Sequence, residues 1–402
     1  MLPHVWQWQP RFRRHAFGWK SQPAIARIKE AVSEIKKVAK TDALLGAEGA
    51  VLFLQRVAPA IGQVDSSSGS IGTAVNRAID ALVPVIAAAP ADRKTRQGWL
   101  DRLWQARQDD DMPYLELLDA RWGELCAEPA LADVWADHFL GTLAMAWSSD
   151  PELRGMMLGS VACFSALQAA GRHADILVWL ERAPFRMWHW HVWGVRALAA
   201  QGKVDEALHY AQTALCRNDS PVFAARECEG VLLAVGRAEE AYRDHAILAN
   251  EAATKLGTYR AIAKKYPDIP SDVILRDLIA STPGDEGKWF ATAKDLGQFA
   301  LAVVLARQSP CDPKTLERAA RDFAVEAPAF AVEAGLAALH WLAQGYGYDV
   351  TSADVWAAYQ ATLHAAEVLG DVPGVVARVR QTVAAGSAGN FVAAVLGRVL
   401  AA

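Results

Sequence analysis

Apolar side chains recur at every third or fourth position along most of this chain, which is the periodicity of amphipathic helices. The first helix begins at Ser21, where Ser-Gln-Pro supplies a capping residue and an early proline. A second helix follows Asp42 and ends near Pro59. The same pattern predicts further helices over 73–89, 92–108, 112–127 and 130–147. Strand-like alternation of apolar and polar residues reaches no useful length. The predicted fold class is therefore all-α.

One pattern occurs three times between residues 163 and 243. Each copy has an apolar helix, a Gly-Arg or Gly-Lys turn, and a second helix with an acidic residue near its start. The copies are Ser165–Leu180, Ala197–Leu215 and Val231–Tyr242. Their turn glycines lie 31 and 34 residues apart, at Gly171, Gly202 and Gly236. A period of about 34 residues is typical of helical hairpins that bury one face only by stacking on their neighbours. The sequence thus predicts an α-solenoid of stacked antiparallel helical hairpins.

The second and third turns resemble those of tetratricopeptide repeats. The segments that carry the likeness are GKVDEAL at 202–208 and GRAEEAY at 236–242. Ala207 and Ala241 stand where that family needs a small residue between closely packed helices. The usual Trp-Leu-Gly opening of the first helix is missing and the repeat lengths vary, so the ligand-binding residues of that family have no counterparts here. The resemblance implies TPR-like hairpins in the middle of the chain.

Loops and prolines divide the chain into four predicted regions. These are a basic aromatic segment (1–20), a helical-hairpin region (21–150), the TPR-like repeats (151–255) and a C-terminal helical-repeat region (256–402). In the last region, helical pairs are expected around Gly297 and Gly370. That region is also loosely similar to uncharacterised bacterial helical-repeat proteins, a likeness that implies no activity.

Composition supports a folded helical chain. Of the 402 residues, 52% are hydrophobic and 21% are charged, which excludes a disordered chain. A single compact core rarely reaches this length, whereas a solenoid grows by contacts between neighbours. The 15 Trp residues suit the wide gaps between helices. The five Cys residues are widely spaced and form no CxxC pair, which argues against a disulfide framework or a zinc ribbon.

Positive charge is concentrated at the N-terminus. Residues 1–40 hold nine Lys or Arg against two Glu, although the whole chain has a net charge of −4. The first 20 residues interleave rings with cations, at Trp6, Trp8, Arg11, Arg13, Arg14, Trp19 and Lys20. Such a segment stacks on bases and neutralises phosphates, docks on an acidic protein or a membrane surface, or covers the end of the solenoid as a cap. All of these interpretations remain open.

The string WHWH at 188–191 is the most unusual local motif. Two imidazoles at i and i+2 can share a metal on an extended segment, but on a helix they point about 200° apart. No carboxylate or thiol stands nearby at ligand spacing, so no metal or cofactor is predicted. The candidate partner-binding residues are Trp188, His189, Trp190, His191 and Trp193. They line a peptide groove in one interpretation and pack between helices in the other.

Four further segments have a possible chemical role and a simpler structural one. For Asp109–Asp111, the two interpretations are a site that attracts a cation and the end of a helix. For the Ser residues of 65–69, they are a hydroxyl nucleophile and a cap of the next helix. Thr282–Trp289 has a Gly-Lys pair without phosphate-loop spacing, and Gly345–Asp349 lacks one glycine of a dinucleotide turn. HExxH and GxSxG are absent. No catalytic residue is predicted.

These observations favour a non-enzymatic scaffold that binds a protein or peptide on a solenoid surface. The alternatives are a nucleic-acid-associated protein that uses its basic aromatic N-terminus, and an enzyme whose site is assembled from distant residues. The N-terminus lacks the apolar stretch of a signal peptide. No apolar run approaches the roughly 20 residues needed to cross a bilayer. We therefore expect no transmembrane segment and a cytoplasmic location.

Overall fold

A computed structural model describes residues 4–148, 150, 152, 154–387 and 390–401. The described residues form helices and connecting turns and contain no strand, so the predicted all-α class is confirmed. The chain divides into two compact units, Met1–Val235 and Gly236–Ala402. The boundaries predicted after residues 20, 150 and 255 stay predictions. Residues 1–3 of the predicted N-terminal segment, and residues 149, 151 and 153 around one boundary, lie outside the described residues.

Among the described residues, the first unit contains twelve α-helices of very different length. They are α1 (Ser21–Ala39), α2 (Ala43–Ile61), α3 (Ser70–Ala87), α4 (Arg93–Gln108), α5 (Leu117–Ala120), α6 (Trp122–Cys126), α7 (Pro129–Ala146), α8 (Ser160–Ala169), α9 (His173–Glu181), α10 (Trp188–Ala200), α11 (Val204–Ala214) and α12 (Pro221–Ala234).

The second unit begins with a helix that contains a π-helical turn, Tyr242–Ala246. Its helices are α13 (Ala238–Ala241), α14 (Ile247–Ala249), α15 (Lys255–Lys265), α16 (Ser271–Ala280), α17 (Phe290–Asp295), α18 (Phe299–Gln308), α19 (Pro313–Asp322), α20 (Pro328–Ala343), α21 (Ser352–Leu369), α22 (Val372–Ala384) and α23 (Phe391–Ala401).

Helix starts follow local chemistry. The Asp42 carboxylate accepts the Leu45 amide at 2.9 Å, and the Asp92 carboxylate accepts the Thr95 amide at 2.7 Å. These bonds satisfy amide groups that have no partner within the helix. At α1 the expected cap is wrong, since Lys20 precedes the helix without a side-chain bond and Ser21 is already helical.

The helix predicted over 112–127 is wrong, because it is interrupted. Arg121 (φ −105°, ψ 7°) separates α5 from α6. The Ser165 hydroxyl, on α8, donates to the Ala120 carbonyl at 3.1 Å and accepts the Gly123 amide at 3.0 Å. A Cβ atom at Gly123 would collide with the backbone of Ser165. Packing against α8 therefore satisfies the polar groups at the break.

The predicted glycine turns are confirmed. Gly171, Gly202 and Gly236 have φ values of 76°, 76° and 77°, the left-handed conformation that favours glycine. After Gly171 and Gly202 the chain reverses its direction. The Arg172 amide donates a hydrogen bond to the Leu167 carbonyl, and the Lys203 amide donates one to the Leu198 carbonyl. Gly297 and Gly370 have the same conformation, and helical pairs lie around both, as expected.

Helices pack mainly on helices close to them in sequence. From α8 to α12, each helix contacts the next one, and α8, α10 and α12 also contact in series. In the second unit α18, α20 and α22 form one such series, and α19, α21 and α23 form another. Ala207 and Ala211 of α11 are fully buried, which allows close helix approach.

Tryptophan rings fill the core, as the composition predicts. Trp122 is fully buried and its ring meets those of Trp104, Trp135 and Phe139 at 5.6, 5.0 and 5.8 Å. This cluster joins α4, α6 and α7. By length and composition, α2 and α3 qualify as membrane-spanning helices. However, 61% of the α2 window is buried inside the protein, and core helices pass the same test. The expectation of no transmembrane segment stays a prediction.

Candidate partner-binding surfaces

The N-terminal segment is folded onto α1 and α2. Trp6 and Trp8 are 4% and 2% exposed, and the Trp8 ring meets Phe53 edge-on at 5.4 Å. Trp6 lies against Gly49, where a Cβ atom would collide with the indole. Neither indole has surface left for a ligand.

Polar contacts hold the same segment to α1. The Gln7 amide donates to Glu34 at 2.8 Å, and Arg11 pairs with Glu30 at 3.0 Å. Arg27 binds the same Glu30 carboxylate at 2.6 Å. Both acidic residues of the first 40 positions are therefore engaged within the chain.

The remaining N-terminal candidates face solvent. Arg13, Arg14 and Lys20 are exposed, and Trp19 is 72% exposed. The Trp19 carbonyl accepts the Asp65 amide at 2.9 Å, which fixes this part of the segment to the loop before α3. Only one predicted ring of this segment is thus free to contact a ligand.

A basic groove lies between α1 and α3. Its volume is about 480 Å³. Its cations are Lys29, Lys36, Lys37, Lys40 and Arg77. Its apolar floor is formed by Ile28, Val32, Ala74 and Ala78, of which only Val32 is partly exposed. None of the five cations forms an ion pair within the described part of the chain. Ser33 also lines it, and we refer to these ten residues as the basic groove.

The geometry of the basic groove follows from how α1 and α3 are placed. The Ser21 and Ser70 hydroxyls, which begin the two helices, lie 3.5 Å apart. At 1.5 Å per residue, Lys29 to Lys40 spans about 16 Å along α1. The charge count of residues 1–40 found the four lysines. Arg77 was missed, because it lies outside the basic region of the sequence and only helix packing brings it beside them.

Two of the candidate tryptophans on α10 belong to the core. Trp190 is fully buried, donates to the Ser160 hydroxyl at 2.9 Å and packs against Trp147 at 4.8 Å. Trp193 is 4% exposed and lies under the Arg196 guanidinium. The expectation that these two rings anchor a partner on a surface is therefore corrected. Trp188 is half-buried and His189 is exposed.

His191 is the buried histidine of the motif. Its Nδ1 lies 2.6 Å from the Tyr210 hydroxyl, and it is 8% exposed. Burial lowers the pKa of His191 and raises the pKa of Tyr210 to about 12, so both side chains are neutral at pH 7. Tyr210 approaches α10 at Gly194, where a Cβ atom would collide with its ring. The two imidazoles of the string thus have different environments.

A cavity of about 460 Å³ opens over this pair, between α9, α10 and α11. Its apolar wall includes Leu177 and Phe185, and the Phe185 ring is 49% exposed. Glu181 and Arg186 are exposed residues of its lining. We refer to this cavity as the His191–Tyr210 pocket. The volume and the mixed lining are those of ligand-binding clefts.

The acidic and serine-rich motifs have structural partners. Asp65 accepts the Ser67 amide at 3.0 Å, which lowers the pKa of Asp65. In the 109–111 segment, Asp110 accepts the Leu115 amide at 2.7 Å. No group of three or more potential metal ligands occurs among the described residues.

The two glycine motifs also serve as connectors. Trp289 donates to the Thr282 hydroxyl at 2.8 Å, and Lys288 pairs with Asp285 at 2.8 Å, so this lysine is already engaged. The 345–349 segment closes α20, with the Gly345 amide on the Leu342 carbonyl.

Comparison with protein-family models, curated proteins and solved structures finds no match to this chain.

Proposed function

We propose that this protein is a non-enzymatic scaffold, an α-solenoid with TPR-like hairpins in its middle, that holds a protein or peptide on its surface. Support for the solenoid comes from the packing of α8, α10 and α12 in series, with α9 contacting α8 and α10, and α11 contacting α10 and α12. Hairpins that depend on their neighbours in this way build extended binding surfaces.

The His191–Tyr210 pocket is the observation that carries the partner-binding role. It combines a half-exposed aromatic ring, Phe185, with charges of both signs at Glu181 and Arg186. Aromatic anchors beside polar groups are typical of the energetically important residues of protein interfaces. Trp188 and His189 begin α10, between Arg186 and His191 of the pocket lining in sequence, and we include them in the proposed surface. Trp190 and Trp193 support it from the core.

Affinity purification from the native host, read by mass spectrometry, tests this proposal. The variant is Phe185→Asp, which places a charge on the pocket wall. Phe223→Asp is the matched control, because the Phe223 ring is 46% exposed and does not line the pocket. We expect wild type and control to recover the same partner, and Phe185→Asp to lose it while keeping wild-type helicity and melting temperature.

Two results contradict the proposal. Recovery of the same partner by Phe185→Asp removes the pocket from the interface. Absence of any protein enriched over a tag-only control removes the scaffold function itself.

A further inference from the structure

We propose that the basic groove is the docking site for an acidic amphipathic helix of a partner protein. The groove is a different surface from the His191–Tyr210 pocket. This inference rests on the proposed function only in that the partner is a protein.

Unsatisfied charge is the first argument. Some arginines of the first unit are neutralised by the chain itself, as Arg121 is by Asp80 and Glu124, at 2.9 and 2.6 Å. Of the carboxylates on α1, Glu30 binds arginines and Glu34 accepts amides of the N-terminal segment. No carboxylate in the described part of the chain forms an ion pair with the five groove cations. An anionic surface is their electrostatic complement.

Shape and floor chemistry are the second argument. Between the cations, the partly exposed Val32 and the methylene stems of the lysines offer an aliphatic surface, and Ile28 and Ala78 lie buried beneath it. The groove extends about 16 Å along α1, which is about three turns of a docked helix. A helix with apolar residues on one face and carboxylates beside them would cover the floor and reach the lysines. This is the helix-in-groove mode of recognition.

Nucleic acid and membrane fit the same groove less well. Sequence-tolerant binding of single strands relies on aromatic stacking platforms, and no ring lines the groove among the residues that the structure describes. Trp6 and Trp8, which would have supplied such platforms, are buried. A flat anionic bilayer cannot reach the recessed apolar floor.

Fluorescence anisotropy with defined probes tests the proposal on the full-length protein. The main probe is a labelled synthetic peptide of about 18 residues, with Leu at helical spacing and Glu on the flanking positions. The other probes are a scrambled peptide of the same composition, a labelled single-stranded oligonucleotide, and phosphatidylserine vesicles measured by co-sedimentation.

Two variants separate charge from occupancy of the groove. Lys36→Glu/Lys40→Glu reverses two charges, and Ser33→Trp fills the groove from an exposed lining position without changing charge. The matched control is Arg260→Glu/Lys264→Glu on α15. It makes the same charge change at the same i,i+4 spacing on exposed residues of the second unit. Circular dichroism of every variant must match wild type, and any variant that fails is replaced by Lys29→Glu/Arg77→Glu.

We expect wild type and the α15 control to bind the amphipathic peptide equally. Both groove variants should weaken binding by about tenfold or more, since charge and fit are each removed. Equal binding of the scrambled peptide, or an unchanged affinity of Ser33→Trp, would overturn helix docking. Tighter binding of the oligonucleotide or the vesicles would assign the groove to that ligand instead. Absence of peptide binding to wild type would also refute the inference, while the Phe185→Asp purification would still decide the scaffold function.

Discussion

The buried ion pair between Arg107 and Asp119 predicts a large loss of stability when either partner is removed alone. Arg107 lies in the last turn of α4 and Asp119 lies in α5. The guanidinium Nε and Nη2 atoms lie 3.1 and 3.4 Å from the two carboxylate oxygens. The side chains are only 7% and 6% exposed. Asp119→Ala would leave the Arg107 guanidinium buried without the carboxylate to which it donates its hydrogen bonds.

The magnitude follows from desolvation. Loss of one partner of a buried pair costs about 3–5 kcal/mol, because the remaining charge is uncompensated. Replacing both partners, as in Arg107→Met/Asp119→Leu, should instead leave stability unchanged or raise it by about 1–4 kcal/mol. The pKa of Asp119 reflects the balance between the cost of burying its charge and the attraction of Arg107. Burial raises the pKa of Asp119 from 3.8 to about 6, in spite of the nearby Arg107.

This pKa also predicts a pH dependence with a definite sign. Between pH 3.8 and about 6 the folded chain holds a proton on Asp119 that the unfolded chain has released. The contribution of this group to stability is therefore fully present below pH 3.8 and is lost as the pH rises through about 6. Asp119→Asn should lack this component of the pH profile.

Urea unfolding followed by tryptophan fluorescence measures these changes. Twelve of the 15 Trp residues precede residue 236, so the signal reports mainly the first unit. Detection by circular dichroism would mix two units and break the two-state assumption. The predicted loss of stability is refuted if the free energy of unfolding of Asp119→Ala lies within about 1 kcal/mol of the wild-type value. It is also refuted if Arg107→Met/Asp119→Leu is as unstable as Asp119→Ala.

Two further substitutions test the N-terminal packing and the buried histidine. Gly49→Ala should displace the Trp6 ring, lower the free energy of unfolding by about 1–3 kcal/mol and make the N-terminal segment sensitive to trypsin. Gly230→Ala is the control, because Gly230 has open space around it, and it should be neutral or slightly stabilising. Tyr210→Phe removes the hydrogen-bond partner of His191 and should cost about 1–2 kcal/mol in urea unfolding at neutral pH. Because burial lowers the pKa of His191, its contribution to stability should be lost as the pH falls below 6.5. A midpoint of urea unfolding that is the same at about pH 5 as at neutral pH would contradict this.

Much of the local architecture could be predicted from residues close together in sequence. The all-α class, the start of α2 after Asp42 and the left-handed turns at Gly171 and Gly202 follow from periodicity, capping and the conformational freedom of glycine. Each of these signals acts within about one helical turn. The interruption between α5 and α6 was missed, because it involves Ser165, more than 40 residues away.

The candidate surfaces divide in the same way. Sequence counting located positive charge on α1 but could not add Arg77, which lies across the groove on α3. The WHWH string indicated an unusual site, yet the sequence could not tell that Trp190 is buried while His189 is exposed. Neighbouring positions on a helix point in different directions, so burial depends on which helix packs against each face.

By itself, the sequence determined where helices form and turn, because those preferences are set by side chains a few positions apart. The tertiary structure alone decided which rings belong to the core, which charges are paired, and where unpaired lysines and an arginine surround an apolar floor. Such properties depend on contacts between residues tens of positions apart, and only the packing of whole helices creates those contacts.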